Sequence, residues 1–135
     1  MEKKRSDCPL SGSLDIFGDK WSLLIIRDVM MKGKVSYSEF LKSDEKIATN
    51  ILSNRLKLLE EEKILVKEIS PLNKSKFDYY LTQKGADLLP VLVEMSEWGG
   101  KYNENSRQSE LYKKVKKDKA EFLKNTSREL KKRVK

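Results

Sequence analysis

Ser36-Tyr37-Ser38-Glu39-Phe40-Leu41 opens the stretch that decides the fold, which continues past Lys42-Ser43-Asp44-Glu45-Lys46 into Ala48-Thr49-Asn50-Ile51-Leu52-Ser53-Asn54-Arg55-Leu56-Lys57-Leu58-Leu59. Ser36 and Glu39 have capping-box spacing, in which hydroxyl and carboxylate each satisfy the other's backbone N–H. This predicts a short helix ending near Ser43-Asp44. A longer helix is expected over residues 48–62, because Leu52, Leu56 and Leu59 recur at helical spacing, flanked by Ile51 and Leu58. Thr49, Asn50, Ser53, Asn54 and Lys57 then project from the opposite side.

Downstream, residues 64–70 and 77–82 alternate in the manner of strands. Their connector, Pro71-Leu72-Asn73-Lys74-Ser75-Lys76, is turn-forming and presents two lysines. Thr82 can cap one further helix over residues 83–98, with Leu88, Leu89, Leu92, Met95 and Trp98 as its apolar side. Upstream, residues 13–31 read as helix broken near Gly18-Asp19, with Ser13 capping the first piece and Asp19 the second. Trp21, Leu24, Ile25 and Val29 share a face, and Gly33 can take the left-handed conformation that ends a helix.

Helix, short capped helix, longer helix, then hairpin is the order of a winged helix-turn-helix, an α+β fold that is mostly α with a two-stranded wing. In that motif the second helix of the pair enters the DNA major groove. Asn side chains can bond adenine, Ser and Thr can bond phosphate or base edges, and Lys57 adds phosphate attraction. A polar outer face is also what any solvated helix shows. The capping box and the basic hairpin tip favour DNA.

Composition sharpens this reading. The 135 residues carry a net charge of +8, no histidine and one cysteine. Histidine-based catalysis is therefore excluded, as are zinc sites built from His and Cys. No Gly-rich phosphate loop or paired carboxylates suggest another chemistry, so the chain is read as a non-enzyme without metal or cofactor. Residues 1–100 hold 16 Lys+Arg and 16 Asp+Glu, whereas residues 101–135 hold 13 and 5. The entire excess lies in the tail. Residues 1–7 lack an apolar region, so no signal peptide is expected, and no apolar run has the length of a membrane span. A soluble, cytoplasmic protein is expected.

The ordered residues resemble the HxlR family of winged helix-turn-helix transcriptional regulators, which are MarR-like. The match begins with Cys8-Pro9, Asp15-Ile16-Phe17-Gly18-Asp19-Lys20-Trp21, Leu24-Ile25-Ile26-Arg27-Asp28 and Gly33. It continues through Glu39-Phe40, Ile47, Leu52, Arg55-Leu56-Lys57 and Leu59-Glu60. It closes with Tyr80-Leu81-Thr82, Lys84-Gly85, Leu89-Pro90-Val91-Leu92 and Trp98-Gly99. The resemblance implies a homodimeric regulator, usually a repressor, that binds an inverted-repeat operator in double-stranded DNA. It implies dimerisation through the N-terminal helices and the helix after the hairpin. It implies DNA contacts by Thr49, Asn50, Ser53, Asn54 and Lys57, with Lys74, Ser75 and Lys76 reaching the adjacent groove or backbone. Ser36 and Tyr37 would meet a phosphate, and Arg55 either a phosphate or a nearby carboxylate. Where the family commonly has Ser or Thr as the cap of the recognition helix, this chain has Ala48, and Thr49 is expected to cap instead. The hairpin tip also has fewer prolines and no arginine.

Family members with a cysteine at the place of Cys8 include sensors of electrophiles and oxidants. Cys8 precedes a helix and lies near Lys3, Lys4 and Arg5, a setting that favours thiolate, although free cysteine also serves as a small packing residue. A small-molecule or electrophile effector follows as an expectation. Two units are delimited, a winged-helix and dimerisation domain at residues 8–102 and a basic helical extension at 103–135. The extension carries a thin apolar stripe of Leu111, Val115, Phe122, Leu130 and Val134. It could extend the dimer interface, follow DNA, or remain solvated. A helix that packs where it can and frays at residues 131–135 is expected. The competing class is a winged-helix protein-interaction module without specific DNA binding.

Overall fold

The computed structural model describes residues 5–33 and 35–135. In chain order the elements are α1 (Pro9–Phe17), α2 (Ser22–Lys32), α3 (Tyr37–Phe40), α4 (Thr49–Glu61), β1 (Leu65–Ile69), β2 (Phe77–Leu81), α5 (Gln83–Ala86), α6 (Leu89–Tyr102), a 3-10 turn at Glu104–Gln108, α7 (Glu110–Lys117) and α8 (Lys119–Arg133). The strands form one antiparallel hairpin, pairing Leu65 with Leu81 and Ile69 with Phe77. Val35 adds a short third edge, its carbonyl accepting from the Tyr79 N–H at 2.7 Å.

One apolar core unites these elements. Leu52, Leu56 and Leu59 from α4 pack with Ile25, Ile26 and Val29 from α2, with Phe40, and with Leu65 and Leu81 at the hairpin base. Gly33 ends α2 at φ +62°, as expected of a left-handed cap. The capping box forms, Ser36 accepting from the Glu39 N–H and Glu39 from the Ser36 N–H. Asp19 caps α2 by accepting from the amides of Trp21 and Ser22, both at 2.9 Å.

Several local expectations are corrected. Ser13 does not cap α1. The helix starts at Pro9, where a missing N–H costs nothing, and the Ser13 hydroxyl donates back to the Pro9 carbonyl at 2.9 Å. The helix opened by the capping box closes at Phe40, short of Ser43-Asp44, although its polar turn continues. Thr49 is not a cap either: the backbone is already extended at Ala48, so Thr49 is the first helical residue. The single helix expected over 83–98 is two, capped by Thr82 and broken at Asp87-Leu88. Pro90 explains the break, because it has no N–H for the carbonyl one turn earlier and its ring crowds that carbonyl.

The tail departs most from expectation. It folds as two helices, with Asp118 capping the second by accepting from the Glu121 N–H at 3.1 Å. Val115 and Leu130 are each 1% exposed and belong to the common core. Tyr112 packs its ring on Gly100, where a β-carbon would collide with it. The end does not fray. The Arg133 guanidinium donates to the carbonyls of Val29 at 3.3 Å and Met30 at 2.9 Å. Both carbonyls lie in the last turn of α2, where intrahelical donors run out. The Lys135 N–H then donates to the Leu81 carbonyl at 3.0 Å.

Candidate nucleic-acid interface

The outer face of α4 is open. Thr49, Asn50, Ser53, Asn54 and Lys57 are all exposed, as the spacing of its leucines requires. Ala48 supplies no side-chain cap, so the first-turn amides keep the partial positive charge that suits a phosphate. Two anchors set the pose of the helix. The Tyr37 hydroxyl donates to the Thr49 carbonyl at 3.0 Å and lies 3.2 Å from the Ser53 hydroxyl. Arg55 donates to Asp19 at 3.2 Å, tying α4 to the start of α2.

These anchors redistribute roles among the expected contacts. The Ser36 hydroxyl takes part in the capping box and the Tyr37 hydroxyl joins α3 to α4, the two residues for which a phosphate contact was expected. Arg55 sits in the ion pair with Asp19, the carboxylate alternative weighed from the sequence. It also donates from Nε to the Asn54 amide oxygen at 2.9 Å. Among the described residues the Asn50 side chain has no such bond.

The wing tip is closed by its own hydrogen bonds. Asn73 accepts from the Ser75 amide at 3.0 Å and from the Ser75 hydroxyl at 2.7 Å, closing the turn on itself. Ser75 is thus a turn residue, and Lys74 and Lys76 are the exposed charges. Among the described residues, Lys57, Lys74 and Lys76 take part in no ion pair. A cleft of about 350 Å³ separates the wing from α3, lined by Ser36, Tyr37, Ser38, Lys76, Phe77 and Tyr79.

A polar network missed in the sequence holds the turn into α4. Asp28, 1% exposed, accepts from Arg27 at 2.8 Å and from the Ser43 hydroxyl. Arg27 also grips both oxygens of Glu45 at 2.8 Å. That guanidinium holds the Glu45 carboxyl at a pKa of about 2, and Glu45 in turn helps keep Arg27 charged. Burial works against the Asp19 charge, but bonds from the Ser22 hydroxyl and the Trp21 and Ser22 amides, with the Arg55 charge, hold its carboxyl below the ordinary value. The signal was the adjacent Arg27-Asp28 pair in an otherwise apolar helix.

Cys8 is exposed and is the N-cap residue of α1. Arg5 is spent on Asp15 at 2.6 Å, while Lys3 and Lys4, with the rest of residues 1–4, lie outside the described residues. No group of three His, Cys, Asp or Glu among the described residues could hold a metal. No helix among them is long and apolar enough to cross a membrane. A second surface stands out on α6, where Val91, Met95, Trp98 and Tyr102 fall on one helical face and are 37–69% exposed. On α1, Leu10 and Leu14 are 66% and 48% exposed.

Comparison with known proteins agrees with this geometry. A family model described as HxlR-like helix-turn-helix matches residues 16–107. The HTH-type transcriptional regulator YdeP of Bacillus subtilis is 32% identical over 108 residues, covering 80% of this chain and 84% of YdeP. The reduced form of the transcriptional regulator YodB from B. subtilis superposes with a TM-score of 0.59 at 32% identity, covering 74% of this chain and 98% of YodB. YodB is also known in quinone-bound and diamide-treated structures. The redox regulator HypR in its oxidized form gives a TM-score of 0.63 at 31% identity, covering 71% of this chain and 98% of HypR. The family match ends at residue 107, before α7 and α8.

Proposed function

Because the chain belongs to the HxlR-like helix-turn-helix family, and so is a DNA-binding transcriptional regulator, we propose that it acts as a homodimeric repressor on an inverted-repeat operator. The observation that carries this reading is the exposed row Thr49, Asn50, Ser53 and Lys57 on a firmly anchored helix, beside a wing whose Lys74 and Lys76 have no carboxylate partner among the described residues. α4 lies in the major groove, and Asn50 reads adenine. Lys57, Lys74 and Lys76 neutralise phosphates, and the wing follows the adjacent backbone. The two recognition helices of a symmetric dimer fall one helical turn apart, so half-sites are spaced by ~10 bp or a multiple of it. The exposed apolar faces of α1 and α6 supply the dimer contact.

Footprinting on DNA upstream of the gene itself and its divergent neighbour tests this. A protected inverted repeat, bound with strong salt dependence, is expected. Only weak binding without sequence preference would instead favour a protein-interaction module. Sedimentation equilibrium with Trp98→Glu checks the dimer: the parent sediments as a dimer and the variant as a monomer.

Redox or electrophile control through Cys8 is the second part of the reading, supported by its exposure at a helix start and by the likeness to HypR, a redox regulator, and to YodB, solved in quinone-bound and diamide-treated forms. With one cysteine per chain, two protomers each give up a proton and an electron to diamide. Diamide becomes the hydrazine, and the two sulfurs form an intersubunit disulfide. Alternatively, the thiolate adds to a quinone ring. Oxidised protein should migrate as a reducible dimer and lose operator affinity. Unchanged affinity after diamide or quinone treatment would sink the switch.

A further inference from the structure

The face of the hairpin that packs on the core continues beyond it. Leu65 and Leu81, paired at the base, are buried, and Tyr79 is half-buried. The next pair on the same face, Ile69 with Phe77, is 60% and 44% exposed. Leu72, at the apex after Pro71, is 96% exposed. One exposed leucine means little, since folded surfaces are apolar over much of their area. Here three large apolar side chains lie exposed on the outer half of one hairpin, Phe77 at the edge of the cleft beside α3.

The apex is also built to stay in place. Ser70 donates to the Lys76 carbonyl at 2.9 Å, and the Lys76 N–H donates to the Asn73 carbonyl at 3.0 Å. The Ser70 hydroxyl accepts from the Leu72 N–H at 3.2 Å, and Asn73 closes the turn at Ser75. A loop this well bonded loses little freedom on docking. Its charges are cationic: Lys74 and Lys76 flank the apex, and the Lys67 ammonium stands 4.7 Å from the Phe77 ring centre. An apolar tip rimmed by cations fits a polyanion with an apolar interior, and duplex DNA, whose base stack is reached from the minor groove, is one. Side chains such as Leu, Ile and Phe open base steps there and bend the duplex.

We propose that Leu72, backed by Ile69 and Phe77, is an apolar wedge that enters the minor groove beside each half-site, between phosphates held by Lys74 and Lys76. The inference rests on the DNA-binding reading above and goes beyond it. It makes the wing a reader of deformability, favouring flexible pyrimidine–purine steps under the apex, and so supplies the specificity that a tip without arginine otherwise lacks.

The test uses the full-length protein and the protected duplex, with 2-aminopurine placed at the step beneath the wing. Leu72→Ser removes the wedge, and at 96% exposure the residue supports nothing else in the fold. Operator affinity should fall about tenfold. The 2-aminopurine fluorescence rise on binding and the DNA bend seen by gel mobility should both shrink. The slope of log K against log salt should stay unchanged, because no phosphate contact is lost. Lys74→Ala should do the reverse, lowering that slope by about one and leaving the base step open. If Leu72→Ser binds and bends DNA like the parent, the wedge is wrong and the DNA-binding reading stands. If it instead shifts the sedimentation equilibrium, the apex touches a second copy and the wedge is likewise overturned. If no duplex is protected by the parent protein, both readings fail together.

Discussion

The winged-helix body and the tail differ in almost every sequence statistic and are nevertheless parts of one packed unit. The first 100 residues balance 16 basic against 16 acidic side chains, whereas the last 35 carry 13 against 5. α4 alone buries Leu52, Leu56 and Leu59, while α7 and α8 bury one residue each, Val115 and Leu130. Charge describes what a segment shows to solvent, and a single apolar side chain in the right socket decides where it lies. The basic tail is fastened at its tip to the end of α2 and to the hairpin base.

The comparison breaks most visibly in stability. If the tail is integral, Leu130→Ala should cost about 3 kcal/mol, close to the cost of Leu52→Ala in the body, because both leave a cavity in a filled core. Urea unfolding should keep one transition in both variants. An unchanged midpoint for Leu130→Ala, or a separate early transition, would mark the tail as an appendage.

DNA binding should separate the regions in the opposite sense. Replacing Lys57, Lys74 and Lys76 by Ala should lower operator affinity about a hundredfold at physiological salt and reduce the salt slope by about three. Replacing Lys124, Arg128 and Lys131 in the tail should weaken binding to operator and to random duplex equally. If the tail variant alone loses the preference for operator, the assignment of readout to α4 and the wing is wrong. Arg55→Ala sharpens the same point within the body. It should cost about 1.5 kcal/mol of stability through the lost bond to Asp19, with the salt slope unchanged. A slope reduced by one would return Arg55 to the phosphates.

Much of this was legible in the residues. The capping box at Ser36, the leucine spacing of α4, the Gly33 cap and the alternating strands each have a local cause, and each formed where its cause lies. What was not legible depended on partners distant in sequence. The resemblance implied phosphate contacts for Ser36 and Tyr37, but nothing in the sequence shows that the Tyr37 hydroxyl meets the Thr49 carbonyl on the next helix. Arg55 stood open between two roles until Asp19, 36 residues away, settled beside it. The end of the tail was expected to fray because nothing in its own sequence shows that the α2 carbonyls wait for Arg133, over a hundred residues upstream. The break at Asp87-Leu88 was local, and Pro90 was its overlooked signal.

The smallest effect concerns two ion pairs that look alike on paper. Glu45 is gripped by Arg27 inside the network that shapes the turn into α4, whereas Lys119 joins the tail to Glu94 and Glu97 at the surface. With its folded pKa depressed to about 2 from an ordinary 4.5, Glu45 contributes stability that is fully present above about pH 4.5. That contribution fades as pH falls toward 2, because the unfolded chain takes up the proton first. The side chain is 35% exposed, so solvent screening reduces the contribution to about 1 kcal/mol. Glu45→Gln should therefore lower the urea midpoint at pH 6 and converge on the parent as both are acidified to pH 2.5. Differencing the two curves removes Asp19 and Glu39, whose lowered pKa values act in the same window and are common to both proteins. Lys119→Ala should leave the midpoint unchanged at pH 6, since the tail is held by buried Leu130 and Val115 and by the Arg133 bonds to backbone carbonyls rather than by surface ion pairs. If Lys119→Ala destabilises as much as Glu45→Gln, the tail owes its place to electrostatics after all, and 0.5 M salt should then loosen it.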